Sequence, residues 1–335
     1  MTRRPTRLED VAREAGVSIA TVSRALNNSP AVNADTRAQI WEIARRRHYP
    51  FKPHMPVASG DASRVINMAV PLPQGRDGSL LDPFFLELID GVAEAARRHA
   101  CDIRISHAMP RDQQDLLAQI VPARLGGTLF LGQSTLHAAL NNLALDGHSF
   151  VVWGAAVPNQ RYGSVGSDDV GGGRRATAHL VRLGRERIVF VGDPDVTEVR
   201  LREEGYQAAL DDAGLDRMPS ISVAFDVEAA EAAVTAALAT GVMLDGVVAA
   251  SDIIAIGVIR ALRRAGRRVP EDVSVVGYDD LHVARFASPA LTTIAQDLKL
   301  AGRLLVGKLL SGAPAAELPS DRLPANLVVR ESCGA

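Results

Sequence analysis

Apolar positions in the first fifty residues recur with helical spacing. Leu8, Val11, Ala12 and Ala15 fall at i, i+3, i+4 and i+7, a stripe that stops at Gly16, a residue that ends helices. Ser18 then reads as the N-cap of a second helix, Ile19–Leu26, with Val22 and Leu26 turned inward. Asn33 reads as the cap of a third, at 34–47, whose inner face is Ile40, Ile43 and Ala44. Two short helices joined by a tight glycine-containing turn make a helix-turn-helix. Over 50–64 the periodicity gives way to Pro50, Pro53, Pro56, Ser59, Gly60 and Asp61, the texture of a linker.

From Val65 the period changes. β-rich runs at 65–70, 102–106, 128–131, 150–153, 188–191, 221–225, 246–249 and 273–277 alternate with amphipathic helical stretches at 85–98, 172–183, 201–213, 229–240 and 253–265. Such alternation predicts parallel sheets covered by helices on both faces. Roughly 270 residues are more than one such sheet needs, so two lobes with a ligand cleft between them are expected. The fold class that follows is an all-α helix-turn-helix head and a two-lobed, doubly wound α/β core.

Charge sharpens this division. The 335 residues carry a net charge of only -2. Residues 1–60, however, hold ten Lys/Arg against five Asp/Glu, a head of +5 on a body of -7. A basic head points to a polyanion partner such as nucleic acid. With 47% hydrophobic and 23% charged residues and no bilayer-length apolar run, a membrane protein is excluded. The polar, basic start at residues 1–7 predicts no secretory leader and therefore a cytoplasmic location. Cys101 and Cys333 stand far apart and make neither a disulfide framework nor a metal site, and no cofactor is expected.

The segment Leu8-Glu-Asp-Val-Ala-Arg-Glu-Ala-Gly-Val-Ser-Ile-Ala-Thr-Val-Ser-Arg-Ala-Leu-Asn27 closely resembles the lactose/galactose repressor (LacI/GalR) family of bacterial transcription regulators. The resemblance continues, in the family's order, through Val32, Thr36-Arg37, Asp82-Pro-Phe-Phe85, Arg202-Glu-Glu-Gly-Tyr206, Ser251-Asp252, Val273-Ser-Val-Val-Gly-Tyr-Asp-Asp280, Leu291-Thr-Thr-Ile294, Gln296-Asp297 and Leu327-Val-Val-Arg-Glu-Ser332. It implies a DNA-binding head at 1–49, a hinge at 50–64, and an effector-binding and dimerisation core at 65–335 akin to periplasmic sugar-binding proteins. One lobe is expected at about 65–165 and 295–323, the other at about 166–294 and 324–332. It also implies a cytoplasmic homodimer on near-palindromic operator DNA, since one helix-turn-helix reads a single half-site. No heptad pattern follows Ser332, so a coiled-coil tetramer is not expected.

In a helix-turn-helix the second helix enters the major groove with its early residues at base edges. Ile19 and Ala20 stand at the family's specificity positions and can contact only thymine methyl groups, whereas the forked donors of Arg24 suit guanine O6 and N7. Thr21, Ser23, Asn27, Asn33 and Thr36 are of the type that holds phosphates. Arg47, in Arg45-Arg46-Arg47-His48, stands where the family usually keeps an apolar residue. The hinge departs further. Ala58 stands where a minor-groove Leu is expected, and Pro53 and Pro56 fall inside the usual hinge helix. The expectation is a non-helical hinge, with Met55 or Val57 as the substitute apolar wedge.

For the core the resemblance implies an effector cleft. Arg202 stands at the family's ligand-clamping Arg, and Asp279 follows the strand at 273–277, at the carboxyl end of a sheet, where open α/β folds bind ligands. Ser251 stands at a position often held by Asn, Gln296 matches a cleft residue, and Phe84, Phe85 and Phe225 are placed to stack on a sugar face. Asp252 is read as the cap of the helix that follows, and Arg76 or Asp77 in a long loop as tuning effector choice. An Asp that accepts two hydroxyls beside a forked Arg favours a sugar or polyol. An anionic or purine-like ligand is the alternative.

Two motifs mislead. Gly302-x4-Gly307-Lys308 imitates a phosphate-binding loop, but Leu309 replaces the required Ser/Thr. Gly171-Gly-Gly173 opens a helix without a dinucleotide fingerprint. No catalytic constellation appears, so an enzyme is disfavoured, and the basic head counts against a sugar-binding protein without a DNA role. A regulator controlled by its effector through linkage is the reading that uses both parts. The resemblance favours a repressor of carbohydrate-utilisation genes released by its effector, and corepression has the same thermodynamics with the opposite sign.

Overall fold

The computed structural model describes residues 8–26, 32, 33, 36, 39, 40, 43, 44, 64–70, 82–106, 110–133 and 136–335. Asn27, Arg47, the hinge prolines, Met55, Val57, Ala58, Arg76 and Asp77 lie outside the described residues. Two units result, 1–63 and 64–335.

In the head, α1 (Leu8–Ala15) and α2 (Ile19–Leu26) flank the expected turn. Gly16 has φ +66 and ends α1. Ser18 caps α2, its Oγ accepting from Thr21 N at 3.1 Å, and Asn33 Oδ1 accepts from Thr36 N at 2.8 Å. Val11, Ala12, Val22, Ala25, Val32, Ile40, Ile43 and Ala44 form one buried cluster. Three amphipathic segments of this length hold one another because none could stay helical alone.

The core begins with β1 (Val65–Ala69), α3 (Pro83–Arg98), β2 (Asp102–Ile105), α4 (Gln113–Ala118), β3 (Thr128–Leu131), α5 (His137–Leu145), β4 (Phe150–Trp153) and β5 (Ser164–Ser167). It continues with α6 (Asp169–Arg182), β6 (Ile188–Val191), α7 (Thr197–Ala213), α8 (Val227–Ala239), β7 (Gly246–Ala249), α9 (Asp252–Arg264), β8 (Ser274–Asp279), α10 (His282–Phe286) and β9 (Thr292–Gln296). Last come α11 (Leu298–Leu310), β10 (Asp321–Leu323) and β11 (Ala325–Val328).

The strands form two sheets, β10-β5-β4-β3-β1-β2 and β11-β9-β8-β7-β6. Every pairing is parallel except β11 with β9. Each sheet is one lobe, with helices packed over it. Strands β3, β4, β6 and β7 are buried at every position, as parallel strands covered on both faces must be. The chain passes between sheets three times: after Ser167, after Gln296 and between Leu323 and Ala325.

One expected strand, 221–225, does not form. Ile221 makes a single parallel bridge to Val191, after which Asp226 N bonds Ala224 O and the Asp226 side chain caps α8. Alternating Ile, Val and Phe look strand-like, but the chain turns away after one residue of edge pairing. Conversely, β5, β9, β10 and β11 are short strands that form where none was expected. Gly302 has a packing role on α11: a Cβ there would lie 2.3 Å from the carbonyl carbon of Gly91 on α3. That close helix crossing is what the phosphate-loop mimic is for.

Candidate functional site

On the head, the first two turns of α2 divide cleanly. Val22 and Ala25 are buried, while Ile19, Ala20 and Arg24 are exposed, Ile19 at 48%. At 100° per residue those three lie within about 140° of one another, on a single face. An exposed Ile, an exposed Ala and an exposed Arg thus share one solvent-facing surface. The Thr21 hydroxyl lies 2.8 Å from Ser18 Oγ, so it stays beside the helix start. The Asn33 carboxamide oxygen serves the cap, which leaves its NH2 for a further contact.

In the core, the carboxyl ends of β5, β8 and β9 meet the starts of α6 and α9. Asp168 caps α6 through Gly171 N, and Asp169 opens it, buried. The Gly-Gly that follows permits two close approaches. A Cβ on Gly172 would lie 2.3 Å from the Tyr278 hydroxyl, and one on Gly173 would lie 1.9 Å from the Arg202 carbonyl oxygen. Helix α7 therefore docks backbone-to-backbone against α6 at the turn that carries Arg202. Gly173→Ala should force the helices apart, lower stability by about 1–3 kcal/mol, and move Arg202 out of register. Urea unfolding would check the first effect; an unshifted midpoint would contradict this packing.

The Arg202 guanidinium is the centre of the cluster. Its Nε donates to Asp169 Oδ1 at 2.9 Å and its Nη1 to the Ala250 carbonyl at 2.6 Å. Asp279 Oδ1 lies 3.8 Å from the same Nη1, and the Tyr278 ring lies under the guanidinium carbon at 3.7 Å. Gln296 Nε2 donates to Asp279 Oδ1 at 2.6 Å, and Tyr278 Oη lies 3.2 Å from Ser167 Oγ. Among the described residues, Arg202 Nη2 and Asp279 Oδ2 take no hydrogen bond, and buried Gln296 Oε1 has no partner. The cluster thus keeps a donor and an acceptor in reserve.

One guanidinium faces two buried carboxyls, and the geometry ranks them. Burial pushes Asp169 up to about 6 against the opposing pull of Arg202. Asp279, buried and farther from Arg202, rises well above the ordinary carboxylate range, with nearby Asp252 adding repulsion. Burial works against the Arg202 cation, but Asp169, Tyr278 and Asp279 more than offset it and its pKa is raised. Arg202 therefore stays charged, Asp169 balances it, and Asp279 is the carboxyl most readily protonated.

Arg202, Asp279 and Gln296 are brought together as the sequence suggested. Ser251 adjoins them through Ala250 but is the residue that caps α9, its Oγ accepting from Ile254 N at 3.2 Å. The cap expected at Asp252 is corrected accordingly. Asp252 is inside the helix, fully buried, and accepts from Leu281 N and Thr293 Oγ1. Phe84 packs edge-on against Phe85 at 5.6 Å and tilted against Trp153 at 5.9 Å, an aromatic group on the first lobe. Phe225 is half-buried against the second-lobe core.

Asp169, Tyr278 and Ser167 were missed, because nothing in sequence tells an acid that opens a helix from one that pairs with an Arg 33 residues later. Gln133, at the end of β3, was missed too. It is buried, donates to the Ala155 carbonyl at 2.6 Å, and has a partnerless Oε1. Among the described residues no helix is long and apolar enough to cross a membrane, and no group of three His, Cys, Asp or Glu could hold a metal ion.

Comparison with known proteins bears on both parts. A model described as "Bacterial regulatory proteins, lacI family" matches residues 7–50, and one described as "Periplasmic binding protein-like domain" matches 177–333. The chain is 31% identical to the HTH-type transcriptional regulator CelR of Thermobifida fusca over 98% of both chains. The crystal structure of the lac repressor dimer bound to operator and the anti-inducer ONPF is similar at TM-score 0.69 and 26% identity, over 99% of this chain and 100% of that one. The structure of the CelR–cellobiose complex is similar at TM-score 0.66 and 30% identity, over 98% and 100%.

Proposed function

This chain belongs to the lacI family of bacterial regulatory proteins, and from that premise we propose that it is a repressor of carbohydrate-utilisation genes controlled by a sugar bound between its lobes. It is a DNA-binding transcriptional regulator, not an enzyme. On our reading it works in the cytoplasm as a homodimer on near-palindromic operator DNA, with a reader at 1–49, a hinge at 50–64 and a sensor at 65–335. Ile19, Ala20 and Arg24 face the bases; Thr21, Ser23, Asn27, Asn33 and Thr36 hold the backbone. Met55 or Val57 takes the place of the hinge wedge where Ala58 stands.

The observation that carries the sugar assignment is the charge balance at Arg202. Its cation is already paired with Asp169, so an anionic ligand would find no unbalanced positive charge to meet it, whereas a neutral diol can accept from Nη2 and hydrogen-bond to Asp279 Oδ2. Phe84 on the opposite lobe supplies an apolar face for the ring, with Phe85, Ser251, Phe225 and Gln296 around it. The cellobiose in the related CelR complex is consistent with this chemistry. Effector and operator favour different arrangements of the lobes, so each lowers or raises the affinity of the other by the same factor.

A thermal-shift panel of mono- and disaccharides, beginning with cellobiose, tests the reading. A sugar should raise the melting midpoint of the wild type, and Asp279→Ala should weaken sugar binding by about 5- to 150-fold by leaving a buried hydroxyl without its hydrogen-bond partner. Stabilisation by carboxylates or purines, with none by any sugar, would overturn it.

A further inference from the structure

We propose that Arg330 and Asp252 are positioning residues that hold the backbone turn carrying Asp279, and so set the geometry of the effector carboxylate from outside the cleft. The inference rests on the reading of Asp279 as an effector ligand.

Strand β8 ends in two successive non-glycine residues with positive φ, Asp279 at +114 and Asp280 at +58. Ala100 and Asn159, the other non-glycine residues of this kind among the described residues, occur singly. L-residues adopt such conformations only where the surroundings over-determine them. Here the surroundings do so from three elements. Arg330, just past β11, donates from Nη2 to Asp280 Oδ1 and anchors itself through Nη1 to the Leu291 carbonyl at 2.8 Å. Its own amide is tied to Thr292 Oγ1 at 2.8 Å. Asp252, at the start of α9, accepts Leu281 N at 2.8 Å. Thr293 of β9 donates to Asp252 Oδ1 at 2.5 Å and accepts from Asp280 N at 3.4 Å.

The position of the turn makes these bonds matter beyond stability. Asp279 presents its carboxylate to Arg202 and Gln296 at one end. Three residues on, His282 N donates to Glu87 Oε1 of α3, on the other lobe, at 2.8 Å. One short stretch therefore carries an effector contact and a contact between lobes, and it keeps its shape because Asp280 and Leu281 are pinned from behind. Without the Arg330 cation, the Asp280 carboxylate would face Asp252 across the turn with one neutralising partner fewer, leaving Arg285 at 3.7 Å.

The test uses the full chain, and its first readout requires no effector. Arg330 is partly exposed, so Arg330→Ala is expected to fold, and amide hydrogen exchange in the peptide spanning 279–283 should quicken by about tenfold or more while β6 and β7 keep their protection. Arg330→Lys should restore part of the protection. Adding Asp280→Gly to Arg330→Ala should also restore part of it, because glycine accepts positive φ without penalty and removes the orphaned carboxylate. Unchanged exchange at 279–283, or equal acceleration across the whole second sheet, would overturn the proposal. Calorimetry with cellobiose supplies the link to function: Arg330→Ala should bind it at least about tenfold more weakly, with operator affinity of the sugar-free protein retained. If wild type binds neither cellobiose nor any other sugar, the sugar reading fails, and hydrogen exchange still decides the role of Arg330.

Discussion

Replacing Arg202 with Met should lower the stability of the core by about 3–5 kcal/mol at neutral pH, the penalty for leaving buried carboxyls without their counter-charge. For a domain of this size that is a fall in the melting midpoint of roughly 10 °C. The loss should depend on pH in a defined direction. Asp169 is pushed by burial to about 6 and Asp279 is raised as well, both above the value of an unfolded aspartate. A carboxyl raised in the folded state binds protons on folding, so its contribution is complete below the unfolded pKa and is lost as pH rises through the folded one. The wild-type core should therefore weaken between about pH 4 and 7, and Asp252, raised to about 7 by burial, acts in the same sense. Without Arg202 both carboxyls hold their protons more tightly, so the deficit of the variant should shrink towards pH 4.5. Thermal melts of both proteins at pH 4.5 and 7.5 decide the matter. An equal deficit at both pH values would mean that Arg202 stabilises by packing alone.

Arg24→Ala should cut operator affinity by about 30-fold to 10⁴-fold. A bidentate contact to guanine discriminates by about 1–3 kcal/mol, and a symmetric dimer places one such arginine in each half-site. The substitution should leave the head folded, because Arg24 is exposed and Val22 and Ala25 keep the buried face of α2. Fluorescence anisotropy on operators varied one base pair at a time provides the measurement. Relaxed preference at a single position in each half-site is expected. A uniform loss across all sequences, with a shallower salt dependence, would instead make Arg24 a phosphate contact.

How far the sequence reached differs between the two parts. In the head, α2 was legible because its limits are local: Gly16 ends the previous helix, Ser18 caps the next, and the stripe of Val22 against exposed Arg24 follows from the helical period. In the core, strands such as Ile188–Val191 were legible because complete burial in a parallel sheet demands an unbroken apolar run. Strand Ser164–Ser167 was not, because Ser-Val-Gly-Ser has no apolar run and is a strand only through its pairing with Phe150–Trp153 and Asp321–Leu323. The run at 221–225 had the right residues for a strand but lacked the partner.

The site followed the same rule. Arg202, Asp279 and Gln296 could be named from sequence because each occupies a position in a recognisable motif. Their chemistry could not, because it depends on which groups lie within a few ångströms. Only the tertiary structure paired Arg202 with Asp169 and left Asp279 as the second carboxyl. It also gave the cap of α9 to Ser251 rather than Asp252, and set Arg330 behind the turn at Asp280. Helical and strand periods are written in neighbouring residues and are read from the chain alone. Charge balance, desolvation and backbone strain are sums over groups that folding gathers from 33, 50 or 77 positions away, and no local pattern records them.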